Sequence, residues 1–123
     1  MHTTLGLVAI VEDDAATRKS LVRLLRASGY TTTAFASAEA FLQSAIAGSA
    51  VALVLNIHLG GMSGIELRRY LLATRSTIPV VFITADDDET THIEAFAVGC
   101  VDYLQKPLES SRLLSALEWG RKA

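Results

Sequence analysis

The stretch "VALVLNIHLGGMSGIEL", residues 51–67, decides how this chain folds. Five apolar residues run without alternation, one amide, Asn56, follows them, and glycines then turn the chain toward a helix-forming segment. An unbroken apolar run suits a strand buried on both faces, as in a parallel sheet covered by helices on either side. Ser63 and Glu66 have the spacing of a capping box, which places a helix start directly after the loop.

The same unit recurs outward in both directions. Apolar runs "LGLVAIV" (5–11), "VVFIT" (80–84) and "VDYL" (101–104) predict three more strands, and the weaker "TTTAFA" (31–36) a fifth. Helical patterns fill the gaps. "AATRKSLVRLLRASG" (15–29) carries Leu21, Leu24 and Leu25 on one face and Gly29 as its stop. "SAEAFLQSAIAG" (37–48) opens on Ser37 as N-cap and ends at Gly48. "SGIELRRYLLA" (63–73), "DDDETTHIEAFAVG" (86–99) and "ESSRLLSALEWGRK" (109–122) complete the set, the fourth helix with acids in its first turn, opposing its dipole. Strands alternating with helices are the pattern of an α/β fold, and strands buried on both sides require a doubly wound sheet with helices on both faces.

Composition narrows the function classes. A chain of 123 residues, half of them apolar and a fifth charged, is expected to form a single domain over 1–123. The net charge of -2 leaves no basic footprint for direct nucleic-acid contact, and the arginines of "RKSLVRLLR" and "RR" suit solvated helix faces. Nothing resembles a signal peptide or a membrane span, and a lone Cys100 forms no internal disulfide, so a cytoplasmic protein is expected. His2, His58 and His92 are too scattered to form a histidine metal site. Asp14 is expected to cap the first helix, His92 to lie on the exposed side of the fourth, and Trp119 to pack the last helix beside Leu113, Leu114 and Leu117.

Ligands of open α/β sheets bind beyond the carboxyl ends of the strands. Here those ends deliver Glu12, Asp13 and Asp14, then Asn56, then Thr84 and Ala85, then Lys106 before Pro107. Adjacent carboxylates repel unless a cation shares their site, and Mg²⁺ is the hard, oxygen-seeking cation that fits. A hydroxyl and an ammonium at the same rim suit phosphoryl oxygens.

In this order and spacing, "VAIVEDD", "LNIHLGGMSGIEL", "VVFITADDD" and "VDYLQKP" resemble the receiver domain of two-component response regulators, the CheY-like family, over essentially the whole chain. The wording of "SAEAFL" and "GMSGIEL" is closest to receivers joined to LuxR-type helix-turn-helix domains. The resemblance implies a flavodoxin-like strand order 2-1-3-4-5. It implies Mg²⁺ held by Glu12, Asp13, the residue at 56 and the backbone carbonyl of His58, with Asp13 the more direct acid. Phosphoryl oxygens would meet Thr84, Ala85 and Lys106, Tyr103 would change rotamer with Thr84, and the Lys106–Pro107 peptide would be cis. The partners implied are a sensor histidine kinase and an output domain or second receiver, in a homodimer for example, docked on the face of the fourth helix, fifth strand and fifth helix.

Two positions depart from the family. Gly60 stands where Pro is usual, which loosens the loop. Asn56 stands where the family has its phosphoryl-accepting Asp. An amide lacks the charge and free lone pair to attack phosphorus, so no phosphorylation is expected, and metal binding should weaken, although the amide oxygen retains lone pairs. Removing one charge from an acidic rim should stabilise the metal-free domain by about 1 kcal/mol relative to an acid at 56. Two histories produce Asn56. The intact remainder of the site favours a conventional receiver engineered to stay unphosphorylated, near its inactive conformation. The other is a natural pseudo-receiver that partners read regardless of phosphate. A Mg²⁺-dependent phosphohydrolase would need a nucleophile that Asn56 removes. A dinucleotide fold would need a glycine where Leu59 stands.

Overall fold

The computed structural model describes residues 4–86 and 88–122. His2, and Asp87 among the expected first-turn acids, lie outside them. In chain order the elements are β1 (Leu7–Val11), α1 (Ala15–Ala27), β2 (Thr31–Phe35), α2 (Ala38–Ser44), β3 (Ala52–Asn56), α3 (Gly64–Ala73), β4 (Val80–Thr84), α4 (Glu89–Val98), β5 (Asp102–Gln105) and α5 (Ser110–Lys122). All strand pairings are parallel and the sheet order is β2-β1-β3-β4-β5, as the resemblance implies.

The unbroken apolar runs are explained by what lies on each side. Along β1, Ala9 and Val11 face one core with Phe41 of α2, Leu67 and Leu71 of α3 and Ala95 of α4. Val8 and Ile10 face the other, with Leu21 and Leu25 of α1 and Leu113 and Leu117 of α5. β3 and β4 divide their residues in the same way, and every residue of both strands is buried. Each such aliphatic side chain contributes about 1.5–3 kcal/mol by leaving water.

The helix starts follow the caps legible in the sequence. Asp14 accepts from Thr17 N at 2.8 Å and from the Thr17 hydroxyl at 2.7 Å, bonds that hold its carboxyl below the ordinary range. Ser37 caps α2, and Ser63 with Glu66 forms the complete capping box of α3. α4 starts later than its pattern suggests: Asp88, expected in the first turn, caps it through Thr90 N and leaves Glu89 as the first-turn acid, and Gly99 ends the helix at φ +88°.

Several boundaries differ from the pattern. α2 stops at Ser44, where the hydroxyl turns back onto the Phe41 carbonyl. Ala45 then adopts φ 55°, and Ile46–Gly48 form a single 3-10 turn that tucks Ile46 against the core. β1 begins at Leu7, β2 ends at Phe35, β5 is one residue later than expected, and β3 includes Asn56. Trp119 does not pack α5; it is 74% exposed. Leu113, Ala116, Leu117 and Gly120 take the buried face at helical spacing, and a residue two after Leu117 points the opposite way. Among the described residues, no helix is long and apolar enough to cross a membrane.

The "GGMSG" loop brings α3 hard against the end of β3. A Cβ added at Gly64 would lie 2.4 Å from the Asn56 carbonyl oxygen and 2.9 Å from Ile57 Cα, both backbone atoms that cannot step aside. Gly61 has φ +74°, and the loop is held at Met62 N by Glu39, 2.8 Å away. Gly60 has open space around it and no positive φ. Gly64→Ala is therefore expected to lower the unfolding free energy by about 2 kcal/mol. Gly60→Ala should raise it by about 0.5 kcal/mol through the unfolded chain. Urea denaturation of the two variants checks both signs.

Candidate functional site

Register brings the rim together. Val11 pairs with Leu55, Asn56 with Ile83 and Thr84 with Gln105, so the strands end level along one edge of the sheet. Side chains alternate faces along a strand. Glu12 continues the alternation of Val8 and Ile10, Asn56 that of Ala52 and Val54, and Lys106 that of Leu104, all residues of the core under α1 and α5. Thr84 instead follows Val80 and Phe82, which face α3 and α4. The rim is thus two groups of side chains.

The first group surrounds Glu12, whose side chain has no exposure at all. A buried carboxylate without partners would be very costly, and this one has three. The Lys106 ammonium contacts Oε1 as an ion pair. The Asn56 amide nitrogen, Nδ2, donates to Oε2 at 2.8 Å, and Asp14 N lies 3.3 Å from the same oxygen. Asn56, itself 5% exposed, also directs Nδ2 toward Asp13 Oδ1 at 3.3 Å and the His58 carbonyl at 3.2 Å. Arg18 fastens the turn below by donating to the Glu12 carbonyl at 2.8 Å.

The second group is Thr84, Asp86, Tyr103 and His92. The Thr84 hydroxyl accepts from Asp86 N at 3.2 Å and donates to Asp86 O at 3.1 Å, so it is engaged with the β4–α4 loop. Ala85 is exposed on that loop. Tyr103 is 6% exposed, and its hydroxyl donates to the same Asp86 carbonyl at 3.3 Å. The His92 ring covers it in a parallel stack, with centroids 4.5 Å apart and planes 9° from parallel. His92 is exposed, as expected, while the His58 ring leans out toward the Asp86 carboxylate at 3.7 Å. The Lys106–Pro107 peptide is cis.

Sequence reasoning found Glu12, Asp13, Asn56, His58, Thr84, Ala85, Tyr103 and Lys106; the structure brings Glu12, Asp13, Asn56, Lys106 and the His58 carbonyl together, and sets Thr84 and Tyr103 in the second group with Ala85 exposed on the loop. Sequence reasoning did not find Asp86, whose backbone joins Thr84 to Tyr103, or His92 as the lid of Tyr103. The alternation along β4 was the available signal, since it sets Thr84 on the face opposite Asn56. Cys100 is half-buried beside Asp102, and its thiol is pushed up to about 11, chiefly by desolvation.

The oxygens expected to hold Mg²⁺ are those of Glu12, Asp13, the Asn56 amide and the His58 carbonyl, but Asn56 turns its nitrogen, not its oxygen, toward the other three. As arranged they do not fit a cation, because all three converge on the Asn56 NH₂ group. Among the described residues, no group of three or more His, Cys, Asp and Glu side chains gathers as a metal site.

The family comparisons agree with this architecture. The response regulator receiver domain model matches residues 8–118. The transcriptional regulatory protein FixJ of Bradyrhizobium diazoefficiens is 37% identical over 116 residues, covering 94% of this chain and 57% of that protein. Crystal structures of full-length FixJ from B. japonicum superpose with a TM-score of 0.88 at 36% identity, over 98% of this chain and 59% of theirs. The structure named FixJ-N gives 0.85 at 35% identity, over 99% and 96% of the two chains. The chain therefore spans little more than half the length of the full-length relatives it matches.

Lys106→Met removes the ammonium from a carboxylate that cannot reach water. The expected loss is about 3 kcal/mol of unfolding free energy, read by urea denaturation. Adding Glu12→Gln should recover most of it, because the amide can bury without a counter-charge. A full loss that the second change does not relieve would show that the pair is not what Lys106 supplies.

Proposed function

The chain belongs to the response regulator receiver domain family, and we propose that it is a signalling module that takes no phosphoryl group at position 56 and acts through protein binding. One observation carries this reading: at the end of β3, between Glu12 and Asp13, stands an amide whose nitrogen is turned into the pocket. That atom is a hydrogen-bond donor, with its lone pair delocalised into the carbonyl, so it cannot attack phosphorus. The Lys106 ammonium, which would meet a phosphoryl oxygen, is bound to Glu12 instead.

Partners follow from the family. A sensor histidine kinase would recognise the receiver, and an output domain or second receiver would dock on α4, β5 and α5, in the cytoplasm. An output domain is consistent with relatives nearly twice as long as the matched segment. That face carries exposed Ile93, Phe96 and Trp119. Tyr103 and Thr84 are the switch pair, and their shared bond to Asp86 holds them in one arrangement without phosphate. No catalytic turnover is expected.

Both histories of Asn56 have an observation behind them. Thr84, Lys106 and Tyr103 remain in place, which favours a conventional receiver changed at one position. The donors of Asn56 are fully used by its neighbours, which favours a natural pseudo-receiver adapted to the amide. The codon at position 56 of the native gene separates them.

Treatment with a small phosphodonor and Mg²⁺, followed by intact-mass measurement, tests the proposal. The expected result is no phosphoryl adduct on this chain and one adduct on Asn56→Asp. An adduct mapped to Asn56, or sustained release of phosphate from the donor, would overturn it.

A further inference from the structure

Asn56 does more than fail as a nucleophile. Its Nδ2 lies 2.8 Å from Glu12 Oε2, 3.3 Å from Asp13 Oδ1 and 3.2 Å from the His58 carbonyl oxygen. Residue 56 itself apart, these are the protein oxygens that the family resemblance assigns to the metal. We propose that the Asn56 NH₂ group occupies the cation position itself, so that the pocket is complete without Mg²⁺ and closed to it.

Lone pairs and charge decide which end of the amide faces in. Three acceptors converge on one atom, and the amide must present its donor end to them. Turned over, its oxygen would face three further oxygens with no proton and no cation among them. An amide nitrogen carries a partial positive charge on its two hydrogens, and the Lys106 ammonium supplies a full charge to the other Glu12 oxygen. Between them the buried Glu12 carboxylate is satisfied by the protein alone. A divalent ion could enter only by rotating the amide, which would break all three of its contacts. Residue 56 would then offer the ion one neutral oxygen in place of the charged one that an acid would supply. This goes beyond a weakened metal site, because the same atoms that would weaken binding also remove the need for it.

The inference rests on reading the rim as the family's metal pocket, and its test is separable from phosphorylation because it measures the metal alone. Thermal unfolding is followed with EDTA and with millimolar MgCl₂ for this chain, Asn56→Asp and Asn56→Ala, and each is titrated calorimetrically with MgCl₂. The midpoint of this chain should move by less than about 1 °C, with no saturable heat of binding. Asn56→Asp should unfold at a lower temperature in EDTA and gain about 3 °C or more from Mg²⁺. The deciding arm is Asn56→Ala, which removes a ligand oxygen yet vacates the position. If the amide blocks the cation, the Ala variant acquires a Mg²⁺ response that this chain lacks. If the amide oxygen serves as a ligand, this chain binds Mg²⁺ and the Ala variant binds it less. The second pattern overturns the proposal, as does any saturable Mg²⁺ binding by this chain, a result available even if neither variant folds.

Discussion

A carboxylate with no access to water must be paired, and Glu12 at the end of β1 is such a group. Its two oxygens are divided between the Lys106 ammonium, delivered by β5, and the Asn56 amide, delivered by β3. Three strands are tied at their carboxyl ends by this one acid. The tie depends on register: had β3 slipped by one residue, Asn56 would face α3 and Glu12 would lose a partner. The close approach of Gly64 to the Asn56 backbone fixes that end from the other side, because no larger residue fits there.

The same division explains why the rim holds two separate groups. Residues that continue the alternation toward α1 and α5 gather charge, while Thr84 and Tyr103 belong to the opposite face and meet through the Asp86 carbonyl. The β4–α4 loop is their common neighbour. Thr84 bonds this loop through both Asp86 N and O, and the Tyr103 hydroxyl, under the His92 ring, donates to the same Asp86 carbonyl.

Much of this was legible in the sequence because it follows from period and position. Unbroken apolar runs specify strands with helices on both sides, and the caps at Asp14, Ser37 and Ser63 name the residues where helices begin. Parallel strands bring their ends to one edge, so the charged residues at those ends had to meet. Besides Asp86 and the His92 lid, three further features escaped for physical reasons. The hydrophobicity of Trp119 suggests packing, whereas its angle on α5 turns it outward. The break after Ser44 arises from a side chain competing for a backbone carbonyl, which propensity alone does not reveal. The orientation of the Asn56 amide was also hidden. Both ends of the group are polar, and only the three surrounding acceptors decide which one faces in.

That orientation is the centre of the account, and neutron diffraction from deuterium-exchanged crystals grown with MgCl₂ observes it directly. The account predicts two deuterons on the Asn56 atom that faces Glu12, Asp13 and the His58 carbonyl, with no ion among them. An Asn56 oxygen turned inward onto a bound Mg²⁺ would contradict it.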